Sequence, residues 1–227
     1  ELINAVNETL ERGGSVFIPC FAVQRTQELL NDFKLAKQSG ALGSDVPVWL
    51  DSPMAQRVTQ IYHEALDHAE DSLFDFEELH WVSNFRQSQK ISRRPGQIIM
   101  AGSGMADGGR ILEHLVTNLG NSKNTVIFVG YQAEGTIGRQ LVDGVKEIVV
   151  EDKLVQVRAK IVHLTGFSAH GDTNDYIAWV KRYNSPRLKK IMLVHAEPES
   201  AEALKQRFEQ EGIDHPHIPQ RFEEISL

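Results

Sequence analysis

Short apolar runs alternate with amphipathic stretches along almost the whole chain, and this alternation predicts repeated strand–helix–strand units. SVFIP reads as a strand, followed by a helix from about Arg25 to Gln38 with Leu29, Leu30, Phe33 and Leu35 on or near one face. VPVWL is the next strand. Asp51-Ser52-Pro53 then opens a helix, because Asp and Ser cap helix starts and Pro suits the first turn. Its apolar positions are Met54, Val58, Ile61, Tyr62 and Leu66. Segment 69–96 turns from acidic to basic and reads as an irregular surface excursion containing short helices. Regularity returns with QIIMA (strand), GRILEHLVTNL (helix), NTVIFVG (strand), a helix near 136–143, and a strand pair EIVV and VQVRAKIVHL. A helix at 173–183, the strand KKIMLVH and a helix at 199–211 complete the pattern. The predicted class is α/β, with a mainly parallel sheet flanked by helices. A change of register near 151–160 is the best candidate for a domain boundary.

The first stretch, ELINAVNETLERGG, is an amphipathic helix already under way, stopped by Gly13-Gly14, with no initiating methionine. It is expected to belong to a longer protein. Composition narrows the class further. At 41% hydrophobic residues the 227-residue chain can bury a substantial core. No apolar run approaches the roughly 18 residues that span a bilayer, so no membrane association is expected and a cytoplasmic location is the default. One cysteine, Cys20, rules out an internal disulfide and any cysteine-rich zinc site, and reads as a small buried apolar residue. A formal charge of −7 with no basic block argues against holding nucleic acid by bulk electrostatics. It leaves room for local phosphate contacts through arginines, helix ends or metal ions.

In a parallel sheet ligands gather at the carboxyl ends of the strands. There this sequence places Cys20 to Arg25, Asp51-Ser52-Pro53, GSGMADGGR (102–110), YQAEGTIGR (131–139), GFSAHGD (166–172) and His195-Ala196-Glu197. Gly102, Ser103, Gly104, Gly108, Gly109 and Arg110 lie in a glycine-rich strand-to-helix turn, which can leave backbone amides free for a phosphate, and Ser52, after the predicted strand VPVWL, is a further candidate for phosphate or substrate. No Gly-Lys-Ser/Thr follows, so it is not a P-loop. The alternative is a tight turn that needs glycine for backbone reasons alone. Arg110 and Arg139 could add charge to a phosphate path. His170 and His195 each follow a predicted strand on consecutive units, where their side chains can converge. His63, His68, His114, His215 and His217 read as solvated surface, and His163, inside a strand, as structural.

GFSAHGD, followed about 25 residues later by IMLVHAEPE, resembles motifs B and C of the β-CASP group of metallo-β-lactamase-fold ribonucleases. GGSVFIPCFAVQRTQELL, VWLDSPMAQRVTQIY, IIMAGSGMADGGRILEHL and VGYQAEGTIGRQLVDG are similar to the same family, in order. The resemblance, nearest the bacterial and archaeal members, implies that 1–160 is the RNA-clamping β-CASP domain. Residues 161–227 would be the C-terminal segment of the metallo-β-lactamase domain into which it is inserted. It implies a zinc-dependent ribonuclease whose two metal ions activate a water or hydroxide against an RNA phosphodiester. His195 would ligate zinc, and His170, held by an acidic residue upstream, would be the catalytic proton donor to the leaving oxygen.

The family's His-x-His-x-Asp-His motif, its next histidine, its bridging aspartate and its motif A acid are absent from this sequence. The chain alone is therefore expected to lack most zinc ligands, to carry no zinc and to be inactive. Its 161–227 surface, stripped of a partner, is expected to drive self-association. RNA is the expected partner. The competing readings are a non-catalytic RNA-binding subunit of the same fold and a metallo-hydrolase for small molecules. Intact His170 and His195 argue against the first, and the long inserted domain argues against the second.

Overall fold

The computed structural model describes residues 1–65, 74–167, 170–183, 188–214 and 216–226. They form two compact units, 1–168 and 169–227. The first unit begins with α1 (Leu2–Glu11), β1 (Val16–Pro19), α2 (Arg25–Gln38), β2 (Val48–Asp51) and α3 (Pro53–Ala65). It continues through β3 (Leu79–Trp81), α4 (Phe85–Ile91), β4 (Ile98–Ala101), α5 (Arg110–Asn118) and β5 (Thr125–Phe128). It closes with α6 (Ile137–Val142), β6 (Glu147–Val150), β7 (Lys153–Gln156) and β8 (Lys160–His163). The second unit holds α7 (Thr173–Tyr183), β9 (Ile191–Met192), α8 (Pro198–Gln210) and β10 (Pro216–His217).

Six strands line up as β3-β2-β4-β1-β5-β8, every neighbouring pair parallel. Side chains of a strand alternate between the two faces of its sheet, and here both faces are apolar. Val16 and Ile18, Val48 and Leu50, and Ile98 and Met100 pack with Leu29, Leu30 and Phe33 of α2 and Ala55 of α3. Phe17, Ile99, Ala101, Val126 and Phe128 face the other way, onto Ile111 and Leu115 of α5, Leu141 of α6 and the antiparallel hairpin β6–β7. A one-residue slip would exchange the two sets, so register is strongly fixed. Truncating fully buried Phe17 to alanine would cost about 3–5 kcal/mol.

This split of helices between faces locates a crevice. β1 and β2 hand the chain to α2 and α3 on one face, while β4 and β5 hand it to α5 and α6 on the other. β1 lies between β4 and β5, so the connections diverge on both sides of its carboxyl end. Such a switch point is where open α/β sheets receive ligands.

Several sequence expectations are corrected. The 69–96 excursion contains a strand, β3, at the sheet edge, and the helix α4; residues 66–73, including Leu66 and His68, lie outside the described set. Helix α3 buries Ala55 and Thr59 and packs Tyr62 on the core, but leaves Met54 and Ile61 in solvent. The expected two-strand run at 147–164 is three strands, β6 and β7 pairing with each other and β8 joining β5. His114 is fully buried rather than solvated.

In the second unit Ile177 and Val180 of α7 pack against Phe208 of α8 and Ile213, with Ile191, Leu193 and Leu204 around them. The opposite face of α7 presents Tyr176, Trp179 and Tyr183 to solvent, the last two with ring centroids 5.3 Å apart. β9 is only two residues long and pairs in parallel with β10.

Candidate functional site

At the switch point the backbone is tied down by buried side chains. Beyond β1, the Cys20 amide donates to Ala101 O at 3.0 Å. The Thr26 hydroxyl donates to Phe21 O at 2.7 Å and also lies 3.4 Å from Cys20 Sγ. Burial pushes the Cys20 thiol up to about 11, against the weaker opposing effects of Thr26 and the Ala101 contact. The Gln27 amide, itself buried, donates to Ala22 O at 3.2 Å and to Thr59 Oγ1 at 2.8 Å.

The glycine-rich turn closes largely on itself. The Ser103 amide donates to Gly108 O (2.9 Å), the Asp107 amide to Ser103 Oγ (2.9 Å) and the Ile111 amide to Gly102 O (3.1 Å). Two glycines are required by geometry. Gly109 has φ +75°, and a Cβ there would sit 2.5 Å from Gly102 O. At Gly104 a Cβ would come within 2.7 Å of the Phe21 ring. Among the described residues, the amides of Gly108, Gly109 and Arg110, at the start of α5, meet no acceptor. Ser52 Oγ accepts the Ala55 amide at 3.2 Å as the cap of α3, and a Cβ on Gly102 would lie 3.8 Å from it. Ser52, Gly102–Gly104 and Phe21 are thus neighbours, as the strand-end argument expects. From β5, Gln132 Nε2 reaches Gly104 O, Gly130 O and Tyr131 O at 3.0–3.2 Å, and the Gly138 amide binds Met105 O at 3.0 Å. His163 Nε2 contacts Gly130 O at 3.0 Å, tying β8 to the same end.

Beneath the turn lies a buried polar junction that the sequence argument missed. Asp51 at the end of β2 is fully buried and accepts from three groups: His114 Nε2 at 2.8 Å, the Ser88 hydroxyl and Arg110 Nη1. Burial alone would raise its pKa, but those hydrogen bonds and the His114 charge outweigh it and hold the carboxyl below the usual carboxylate value. Arg110 therefore turns part of its guanidinium inward, with one fifth of the side chain still exposed. A signal existed in the helical phase. Ile111, His114, Leu115 and Asn118 share one face of α5, so a histidine and an asparagine interrupt an inward stripe. Arg139 pairs with Asp143 at the surface at 3.0 Å, one turn along α6.

His170 and His195 both fall in the second unit, and both are exposed. His170 precedes α7, where Asp172 Oδ1 accepts the Asn174 and Asp175 amides (2.7 and 3.0 Å) and Asp175 Oδ2 accepts the Asp172 amide (2.9 Å). The Asp of the Ser-Ala-His-Gly-Asp turn is thus half of a reciprocal helix cap. His195 follows β9 with φ +60°. The strands that lead to them belong to different sheets, β8 to the six-stranded one and β9 to the pair with β10. Among the described residues, no three His, Cys, Asp or Glu side chains cluster closely enough to hold a metal ion. The described residues do not by themselves fit a zinc centre. No described helix is long and apolar enough to cross a membrane.

Comparison with known proteins matches two family descriptions to successive parts of the chain. Residues 26–141 match the Beta-Casp domain, and residues 154–219 match the Zn-dependent metallo-hydrolase RNA specificity domain, a stretch that includes His170 and His195. Zinc and RNA thus enter as properties of the matched family. A protein named as a ribonuclease from Thermus thermophilus is 34% identical over 215 residues, covering 90% of this chain and 48% of its own length. An RNase J-like protein of Methanocaldococcus jannaschii is 35% identical over 202 residues, 87% of this chain and 46% of that protein. The transcription termination factor FttA of Pyrococcus horikoshii is 34% identical over 215 residues, 87% and 32%. The chain spans about half or less of the length of these curated relatives. With the parallel sheet, the glycine turn and both matched regions in order, the chain belongs to the β-CASP family of the metallo-β-lactamase fold.

Proposed function

We propose that this chain is the RNA-holding part of a zinc-dependent ribonuclease, one that hydrolyses phosphodiester bonds in RNA processing or decay. The observation that carries the reading is the succession of a Beta-Casp region and an RNA specificity region in one chain. The crevice agrees with it chemically. Amides of Gly108, Gly109 and Arg110 at the start of a nine-residue helix suit a backbone phosphate, since they combine free donors with the positive end of the helix dipole. The Ser52 hydroxyl stands beside Gly102 on the same floor, and the outward part of the Arg110 guanidinium adds local positive charge to a chain that is negative as a whole.

His195 is proposed as a zinc ligand and His170 as the group that gives a proton to the departing oxygen, a task suited to imidazole near neutral pH. His195 would contribute one ligand to two zinc ions, and further ligands besides it would be needed. A purified 227-residue chain is accordingly expected to bind RNA without cutting it. Fluorescence anisotropy with labelled RNA tests the first part, and a gel assay with added zinc the second. Absence of RNA binding overturns the RNA-holding role, and zinc-dependent cleavage by this chain overturns the ligand assignment.

A further inference from the structure

The chain leaves the first unit through the segment that leads to His170, and one cation lies over that segment's anchor. Leu164, just after β8, is buried, and its amide donates to Phe128 O at 2.8 Å. Phe167, three residues before His170, packs on the same core as β1 and α2. The Arg25 guanidinium lies over the Phe167 ring, 5.7 Å from its centroid, with only 13% of the Arg25 side chain in solvent. That distance is within reach of the attraction between a cation and a ring face. Arg25 has little freedom to be elsewhere. The backbone enters α2 through a tight turn at Gln24 (φ +64°, ψ −60°), closed by the Arg25 amide on Val23 O at 2.8 Å. Such a turn is rare and strained for a residue with a side chain, and it persists only where its surroundings dictate it. Glu28, one helical turn on, grips both turn residues. One carboxylate oxygen accepts from Arg25 Nη1 and the other from Gln24 Nε2, the latter at 3.1 Å.

We propose that Arg25, held by Glu28 and stacked on Phe167, is a positioning residue for hydrolysis, because it fixes the start of the loop that bears His170. The inference rests on the proton-donor reading of His170 above and deepens it. Arg25 follows the carboxyl end of β1, where a cation would ordinarily be taken for a phosphate contact. Its burial and its engagement by the Glu28 carboxylate and the Phe167 face leave little of it for RNA. A lysine could supply the charge, but not the flat, forked group that meets a carboxylate and a ring together. A general acid works only within hydrogen-bond reach of the oxygen it protonates, and a displacement of about 1 Å can cost about a hundredfold in rate. His170 lies only three residues beyond Phe167, so a looser Phe167 passes directly into the placement of the imidazole. The loss cannot exceed that of removing the imidazole itself.

The test uses Arg25→Met, Phe167→Leu and the double variant, each first shown to keep the parent's circular dichroism. In the 227-residue chain, hydrogen exchange of a peptide covering 164–172 should quicken in each variant while the β1 amides stay protected. Affinity for labelled RNA should stay within about twofold of the parent's. In a zinc-loaded protein that joins this chain to the rest of a metallo-β-lactamase domain, each single variant should lower kcat by about 10–100-fold, with KM and zinc content unchanged. The double variant should lose no more than the worse single one, because the two side chains form one contact. The loss should shrink for RNA with a 5′-thio leaving group, which departs without a proton, whereas a general loosening of the fold would slow both substrates alike. A His170→Ala enzyme with full turnover, or with a loss that the thio substrate does not relieve, overturns the proton-donor reading and this inference with it. Where His170→Ala is impaired and relieved, five results each overturn the role of Arg25 alone. They are unchanged exchange at 164–172, a normal kcat in the single variants, losses that multiply in the double variant, an equal loss on the thio substrate, and weakened RNA binding in place of a lowered kcat.

Discussion

Replacing Asp51 by asparagine removes one charge from a fully buried position while keeping the shape of the side chain. The carboxylate is the shared acceptor for His114, Ser88 and Arg110, so the substitution leaves a guanidinium facing an amide and turns one accepting oxygen into a competing donor. Breaking a buried ion pair by removing one partner costs about 3–5 kcal/mol. Arg110 keeps one fifth of its side chain in water, which moves the expectation to the low end, about 3 kcal/mol. For a chain of this length that is a drop of about 6–12 °C in Tm, measurable by differential scanning calorimetry. The pH dependence gives an independent check. Asp51's native pKa lies below its unfolded value, so its contribution is intact above the unfolded value of about 3.9 and is lost as pH falls from there through the native value. The stability gap between wild type and Asp51→Asn should therefore shrink as pH falls below about 4. Asp143→Asn, which removes the exposed partner of Arg139, should leave Tm unchanged. An Asp51→Asn chain that melts within 2 °C of wild type, or a gap that persists undiminished at pH 3, would refute the idea that a charged Asp51 holds the turn to β2.

In a protein that joins this chain to the rest of a metallo-β-lactamase domain, His195→Ala should lower zinc content and turnover together. His170→Ala should leave zinc nearly unchanged and cut turnover by about 10²–10⁴-fold, with partial rescue by a 5′-thio leaving group; loss of zinc without rescue would make His170 a ligand instead. Cys20, buried with its thiol pushed up to about 11, should resist a thiol reagent at pH 8 until the chain unfolds, and rapid labelling of native protein would contradict its burial. Trp179 on the bare face of α7 is 61% exposed, so the chain should self-associate in light scattering, and Trp179→Glu should shift it toward monomer. A strictly monomeric wild-type chain counts against that.

Strands β1, β2, β4 and β5 and the helices that follow them were legible because each of these strands is a short run apolar on both faces, the mark of a sheet covered on both sides. β3 escaped because Leu79-His80-Trp81 is three residues at an edge, only half buried, with no periodicity to count. Phe21, Ser52 and the glycine turn came together because strand ends of a parallel sheet must converge wherever the loops lead. The Asp51 junction did not, since a histidine on a helix is ordinarily solvated and only the phase of α5 turns it inward. His170 and His195 were singled out by their places after predicted strands, and only the resemblance to a family gives them roles, since no local spacing in either marks it as a ligand.

The strand order also has a consequence for how the chain is made. β1 is the centre of the sheet, yet its two partners come late: β4 lies about 80 residues further along and β5 more than about 100. At about 5–20 residues per second, a ribosome needs several seconds to deliver them. Through that interval Val16, Phe17 and Ile18 exist with no sheet to join, shielded only by α1 and α2, which are already synthesised and already carry the apolar stripes that will cover one side. The face that awaits α5 stays bare longest. Nascent chains of this protein should therefore engage chaperones between the emergence of β1 and that of β5, and the window should close once Phe17 is covered.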